Sequence, residues 1–129
     1  MARPVTVTKE RILSAALDLV RSGGPSLLTA RNLCARLGCG ASAIFSSFGS
    51  IQGVRDAVRA EARKLYRKRV GDGFALNTPF RGFGIAFIWF AMDEPYLFSM
   101  IMEPQSQPAS YMDFIDSHVG FKAECLSAI

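Results

Sequence analysis

A chain of 129 residues, half of them apolar, is long enough for one compact domain or two small subdomains sharing a helix. No run of about 18 apolar residues occurs, which argues against a transmembrane helix, and Met1-Ala2-Arg3-Pro4 lacks the apolar core of a signal peptide, so a cytoplasmic protein is expected. Three cysteines fit a reducing compartment better than a disulfide framework, and the net charge of +4 conceals a split: residues 1–70 carry 13 of the 15 Lys and Arg, residues 71–129 carry 7 of the 11 acids. One half could address a polyanion, or the charges could simply cluster on solvated faces; on charge alone the two readings are even.

Almost every segment reads as helix. Thr8 is a suitable N-cap, and Ile12, Ala15, Ala16 and Leu19 follow at the spacing of an amphipathic stripe, which Ser22-Gly23-Gly24-Pro25 terminates. Thr29 caps a short second helix with Leu33 and Leu37 inward, and Gly38 supplies a left-handed C-cap. A third short helix is expected over 41–48, with Ala41, Ile44, Phe45 and Phe48 on one face. Ser50 caps a fourth, with Ile51, Val54, Val58, Ala62 and Leu65 along its apolar side, and Gly71-Asp72-Gly73 is expected to end it.

Thr78 before Pro79 predicts the cap and first residue of a fifth helix running to about Met92. Asp93-Glu94-Pro95 restarts the chain as a sixth helix, which ends at Glu103-Pro104. Ser110 with Asp113 three residues on has the form of a capping box opening a seventh helix. The fold class expected is therefore all-α.

Two short helices joined by a glycine-containing turn have the geometry of a helix-turn-helix. The run Glu10-Arg11-Ile12-Leu13-Ser14-Ala15-Ala16-Leu17-Asp18-Leu19, then Thr29-Ala30-Arg31-Asn32-Leu33-Cys34-Ala35-Arg36-Leu37-Gly38-Cys39, then Ile44-Phe45-Ser46-Ser47-Phe48-Gly49-Ser50, resembles the N-terminal DNA-binding domain of the TetR/AcrR-type bacterial transcription regulators over residues 8–58. The segment from Gly84 to Phe98 is similar to the start of the regulatory domain in one subgroup of that family.

The resemblance implies a helix-turn-helix DNA-binding domain at 1–53 and a helical ligand-binding and dimerisation domain at 54–129 that lacks the family's last helices. It implies that Thr29 caps the second helix and bonds a phosphate, and that Arg31 reaches a phosphate or a base edge. Gly40, Ala41, Ser42 and Ala43 would open the recognition helix, where backbone N–H groups and the helix dipole favour phosphate. Ser46 and Ser47 would face the groove, while Ile44 and Phe48 match core positions.

Some positions depart from the family pattern. Phe45 stands where a phosphate-contacting tyrosine is usual, Ile51 where a lysine is usual, and the third helix holds no Arg or Lys. Bidentate readout of guanine from that helix is therefore closed. Arg55, Arg59, Arg63 and Arg67 repeat along the fourth helix, a like-charge spacing that costs roughly 0.2–0.5 kcal/mol per pair and that a polyanion would offset. Arg55, nearest the helix start, is the expected DNA contact; Arg63 to Arg69 read as a solvated face, and Arg3 and Lys9 could add contacts from an N-terminal arm.

Eight of the ten phenylalanines lie from Phe74 onward. Phe80, Phe83, Phe87 and Phe90 share one face of the fifth helix, and Ile85, Trp89 and Met92 make its other side apolar as well, so the helix is expected to be buried on both sides. Such a stripe is more often core than pocket, but in the family the regulatory helices enclose an apolar effector. Phe83, Phe87, Phe90, Phe98, Met102 and Phe114 are the candidate ligand-binding residues.

An enzyme is not expected. Asp116 and the single histidine, His118, do not share a helix face, and no nucleophile–base arrangement accompanies them. Cys34 and Cys39 lack the further ligands of a zinc site, so no metal or other cofactor is called for. The expectation is a homodimeric regulator of double-stranded DNA with a pseudo-palindromic operator, a repressor released by a small apolar effector, with Trp89, Phe114, Val119 and Phe121 among the dimer contacts. The alternative is a small helical interaction or ligand-binding protein with weak or lost DNA affinity, for which Phe45 and Ile51 argue.

Overall fold

A computed structural model describes residues 7–76 and 78–103. The expected seventh helix, Phe114, His118, Val119, Phe121 and the Arg3 arm lie outside the described residues. Every regular element among the described residues is helical, so the protein is all-α. The chain divides into two compact units, 1–60 and 61–129.

In the first unit, α1 spans Lys9–Gly23. Thr8 is extended at φ −76° and ψ 157°, and its hydroxyl oxygen accepts the Arg11 N–H at 3.2 Å, satisfying one donor that the helix itself leaves over. Ile12, Ala15, Ala16 and Val20 are buried, while Leu19, expected in the stripe, is half-buried. A short 3-10 turn over Pro25–Leu27 follows after Gly24.

Helix α2 covers Ala30–Leu37 and α3 covers Ala41–Phe48. The Thr29 hydroxyl oxygen accepts the Asn32 N–H at 3.1 Å, and the Asn32 amide donates to the Leu27 carbonyl at 2.8 Å, so the start of α2 is tied on both sides. Gly38 sits at φ 66°, ψ 34°, a left-handed conformation that side chains with a Cβ rarely adopt, and it is what lets the chain turn between α2 and α3. The Cys34 carbonyl accepts from both Gly38 N and Cys39 N, at 2.9 and 3.3 Å. Helix α2 packs against α1 and α3, and α3 also reaches α1. Leu28, Leu33 and Ile44 fill the space between with α1's apolar face, each contributing about 1.5–3 kcal/mol by burial.

Helix α4 runs from Ile51 to Leu76. The Ser50 hydroxyl oxygen accepts the Gly53 N–H at 3.1 Å and starts it, as its place in the sequence implied. Val54, Val58, Ala62, Tyr66 and Val70 are buried along it at steps of four. A four-residue step overshoots a turn of 3.6 residues by about 40°, so this row winds around the helix. That is why Leu65, which a fixed face would bury, is only half-buried, and Tyr66 goes inside instead.

The expected stop at Gly71-Asp72-Gly73 does not occur. In the second unit, α5 spans Pro79–Asp93 and α6 spans Pro95–Met102. A Cβ placed on Gly73 would come within 2.5 Å of the Gly82 carbonyl oxygen, and one on Gly82 would strike the Gly73 carbonyl. The two glycines let the backbones of α4 and α5 meet, which outweighs glycine's helix penalty of about 1 kcal/mol.

Thr78 precedes α5 but its hydroxyl makes no capping bond; its carbonyl instead accepts from Gly82 N at 2.7 Å. Ala86 and Phe90 are buried on α5, as are Leu97, Met100 and Ile101 on α6, which packs against it. An exposed ion pair, Arg69 to Asp93 at 3.2 Å, joins α4 to the end of α5. The expectation that α5 is buried all round is overturned: Phe80, Ile88, Trp89 and Met92 are exposed, Phe80 by 75 %. Periodicity could not separate the sides because both are apolar; only the close pass at Gly73 and Gly82 decides which one faces in.

Candidate nucleic-acid interface and aromatic cluster

Of the residues expected to meet DNA, Thr29 and Arg31 sit at the start of α2, Gly40 to Ala43 at the start of α3, Phe45, Ser46 and Ser47 further along α3, and Arg55 in α4. Thr29 and Arg31 are exposed, and the Thr29 side chain is engaged as the cap of α2. Arg31 stands in the first turn of α2, where the helix dipole is positive. A cation there is opposed by about 0.3–1 kcal/mol in the absence of an anion.

Gly40, Ala41 and Ser42 are exposed and Ala43 is half-buried. Gly40 is extended and makes no side-chain cap, and the Ala43 N–H turns back to the Gly40 carbonyl at 3.2 Å. Ser46 is exposed, its hydroxyl donating to the Ala43 carbonyl at 3.0 Å, which leaves its oxygen lone pairs outward. Ser47, expected to face the groove with Ser46, is half-buried. One helical residue rotates the direction by about 100°, enough to carry it from the open side toward the packed one.

Ile44 is fully buried, Phe48 half-buried, and Phe45 exposed. The Phe48 ring carries the Lys9 ammonium 5.3 Å from its centroid, a cation–π contact that places Lys9 on the first turn of α1 beside α3 rather than on a separate arm.

Arg55 is half-buried, with its guanidinium reaching the Pro25 carbonyl at a long 3.5 Å. Arg59, the second arginine of the four-residue repeat, is only 4 % exposed and pairs with the Asp56 carboxylate at 3.3 Å. The regular arginine spacing is therefore not one uniform charged face, since the buried row of α4 winds beneath it. Cys34 and Cys39 are free and half-buried, and burial, reinforced by Cys34, pushes the Cys39 thiol above its ordinary range, so it is the less reactive protonated form. Among the described residues no group of His, Cys, Asp and Glu is placed to hold a metal ion.

Three of the six expected ligand residues are linked to one another by ring contacts, and a fourth, Phe90, contacts Tyr66 instead. Phe83 lies 6.0 Å from Phe87 in a tilted arrangement, and Phe87 meets Phe98 edge-on at 5.0 Å. Phe90 is buried against Tyr66 at 5.2 Å. Phe83, Phe87, Phe98 and Met102 are half-buried, so this apolar cluster of α5 and α6 has an accessible side.

Tyr66 is the residue the sequence reading missed. It has no exposure, its hydroxyl finds no hydrogen-bond partner among the described residues, and burial pushes its pKa well above the ordinary tyrosine value. Its position four residues after Ala62, on the buried row of α4, was the available signal.

No family model, curated protein or solved structure matches this chain. Among the described residues no single helix is long and apolar enough to cross a membrane.

Proposed function

We propose that this chain is a TetR-type, sequence-specific DNA-binding regulator of transcription, acting in the cytoplasm as a homodimer and released from its operator by a small ligand held among α4 to α6. The observation that carries the reading is the pairing of two eight-residue helices around the left-handed Gly38, with Leu33 and Ile44 locked inward and Arg31, Gly40, Ser42 and Ser46 left outward. Arg31 sits against its own helix dipole, an arrangement that a bound phosphate would turn from cost to gain. The surplus of basic residues in 1–70 supplies the long-range attraction.

With no Arg or Lys in α3, base discrimination falls to serine hydroxyls, backbone N–H groups and the shape of the groove. Two copies would set their recognition helices about 34–36 Å apart. Helix α4 runs from the first unit into the second.

Selection from random DNA tests the reading. Enrichment of a short pseudo-palindrome is expected, with affinity falling steeply as salt rises and Arg31→Ala binding more weakly. The competing reading, a helical ligand-binding protein without DNA affinity, draws on the exposed Phe45, which offers no hydroxyl where the interface needs one. It prevails if no motif is enriched and if binding at low salt does not exceed that of an acidic control protein.

A further inference from the structure

The buried tyrosine of α4 has a polar atom and no use for it. Tyr66 is wholly buried, its ring packs on Phe90 at 5.2 Å, and among the described residues its hydroxyl has no hydrogen-bond partner. Buried hydroxyls are almost always hydrogen-bonded, because removing one from water without a replacement partner is costly. A phenylalanine would fill nearly the same volume without that cost. Phe90 lies three residues from Phe87 on the same helix, and Phe87 is in turn stacked edge-on with Phe98 at 5.0 Å. Among the described residues the hydroxyl is thus an orphaned polar point on a ring packed against Phe90, one turn of α5 from Phe87 and its partners Phe83 and Phe98, which like Met102 are only half-buried.

We infer that Tyr66 is the polar anchor of a ligand site in the second unit, and that the ligand is an aromatic or alicyclic compound bearing one hydrogen-bond acceptor, such as a ketone, aldehyde or ester, rather than a hydrocarbon. The half-buried rings admit the apolar body, and the Tyr66 O–H donates to the acceptor once the body is in place. The neutral phenol is the form that donates, and burial keeps it neutral. Apolar contact alone discriminates weakly between compounds of one shape, whereas a buried donor left without its acceptor discriminates strongly. The inference deepens the ligand half of the regulator reading and is independent of its DNA half: a chain that binds no operator can still pass the test, and one that binds operator can fail it.

The test uses the whole chain and two probes of matched shape, acetophenone and α-methylstyrene, in which a C=O is replaced by C=CH2. Affinities of both are measured by calorimetry or ligand-observed NMR for the wild type and Tyr66→Phe. The ratio of the ketone's affinity to the hydrocarbon's should be at least about fivefold larger in the wild type than in Tyr66→Phe, the size of one net hydrogen bond. Without ligand, Tyr66→Phe should melt at the same temperature as the wild type or higher, since no native bond is lost.

A lower melting temperature would mean that the hydroxyl has a partner in the free protein, an enclosed water included, and would overturn the inference. Equal ketone-to-hydrocarbon ratios in the two proteins, or no binding of either probe at millimolar concentration, would overturn it as well.

Discussion

The two units treat their polar groups and their apolar surface in opposite ways. In the first, the caps are made: Thr8, Thr29 and Ser50 each accept a backbone N–H from three residues on, and Gly38 closes α2 in the only region where its missing side chain matters. In the second, Thr78 stands before its helix without capping it, Tyr66 is buried with its hydroxyl unused, and Phe80, Ile88, Trp89 and Met92 face outward. A unit with an orphaned hydroxyl and open aromatic surface is suited to taking up something else.

The sharpest way to break this comparison is to truncate equivalent bulk in different places. Phe90→Ala removes a ring that is 2 % exposed and should cost about 3–5 kcal/mol in a denaturant titration, comparable with Leu33→Ala or Ile44→Ala in the first unit at about 2–5 kcal/mol. Phe80→Ala, at 75 % exposure, should change stability by no more than about 0.5 kcal/mol. If the two phenylalanines cost the same, the assignment of α5's inner face is wrong.

Next in size is a pair of glycines two residues apart. Gly73→Ala drives a methyl into the Gly82 carbonyl and should destabilise by about 1–3 kcal/mol, whereas a Cβ on Gly71 meets nothing within 4 Å, and Gly71→Ala should stabilise by about 0.5–1 kcal/mol. Thermal unfolding of both variants decides whether α4 truly continues through this segment. Were Gly71-Asp72-Gly73 a helix terminus, both substitutions would destabilise.

Removing a completed cap should be felt in the first unit only. Thr29→Ala is expected to cost about 1 kcal/mol, and Thr78→Ala nearly nothing, because only the first hydroxyl is bonded. Arg31→Ala should leave stability unchanged or raise it by a few tenths of a kcal/mol, by relieving the opposed dipole, while weakening DNA binding. A loss of stability would assign Arg31 to the fold rather than to a ligand.

The last expected effect is confined to alkaline pH. Tyr66 has a folded pKa raised above its unfolded value near 10.0, so the unfolded chain releases that proton first. Its contribution to stability is complete below about pH 10 and is lost as pH climbs toward the folded value. Wild-type stability should therefore fall more steeply above pH 10 than that of Tyr66→Phe, as followed by denaturant titrations at stepped pH.

The sequence by itself determined the class and much of the first unit. Short-range chemistry sets these features: a threonine three residues before a free N–H, a glycine where φ must be positive, and an apolar residue every third or fourth place. The bounds of α3 at 41–48 and the caps at Thr8, Thr29 and Ser50 follow from such rules alone. The exposure of Thr29, Arg31, Gly40, Ala41, Ser42 and Ser46 was legible in the same way, although the turn from Ser46 to Ser47 and the pairing of Arg59 with Asp56 were not.

What only the tertiary structure decided is where packing overrides local preference. Glycines that read as a stop became the contact point of α4 and α5, because backbone-to-backbone approach requires residues without a Cβ. A helix apolar on all sides could not announce which side is inner, since its pattern carries no direction. Tyr66 was chosen over Leu65 for the interior by the winding of a row of four-residue steps, and its unused hydroxyl exists only because of what the fold brought around it.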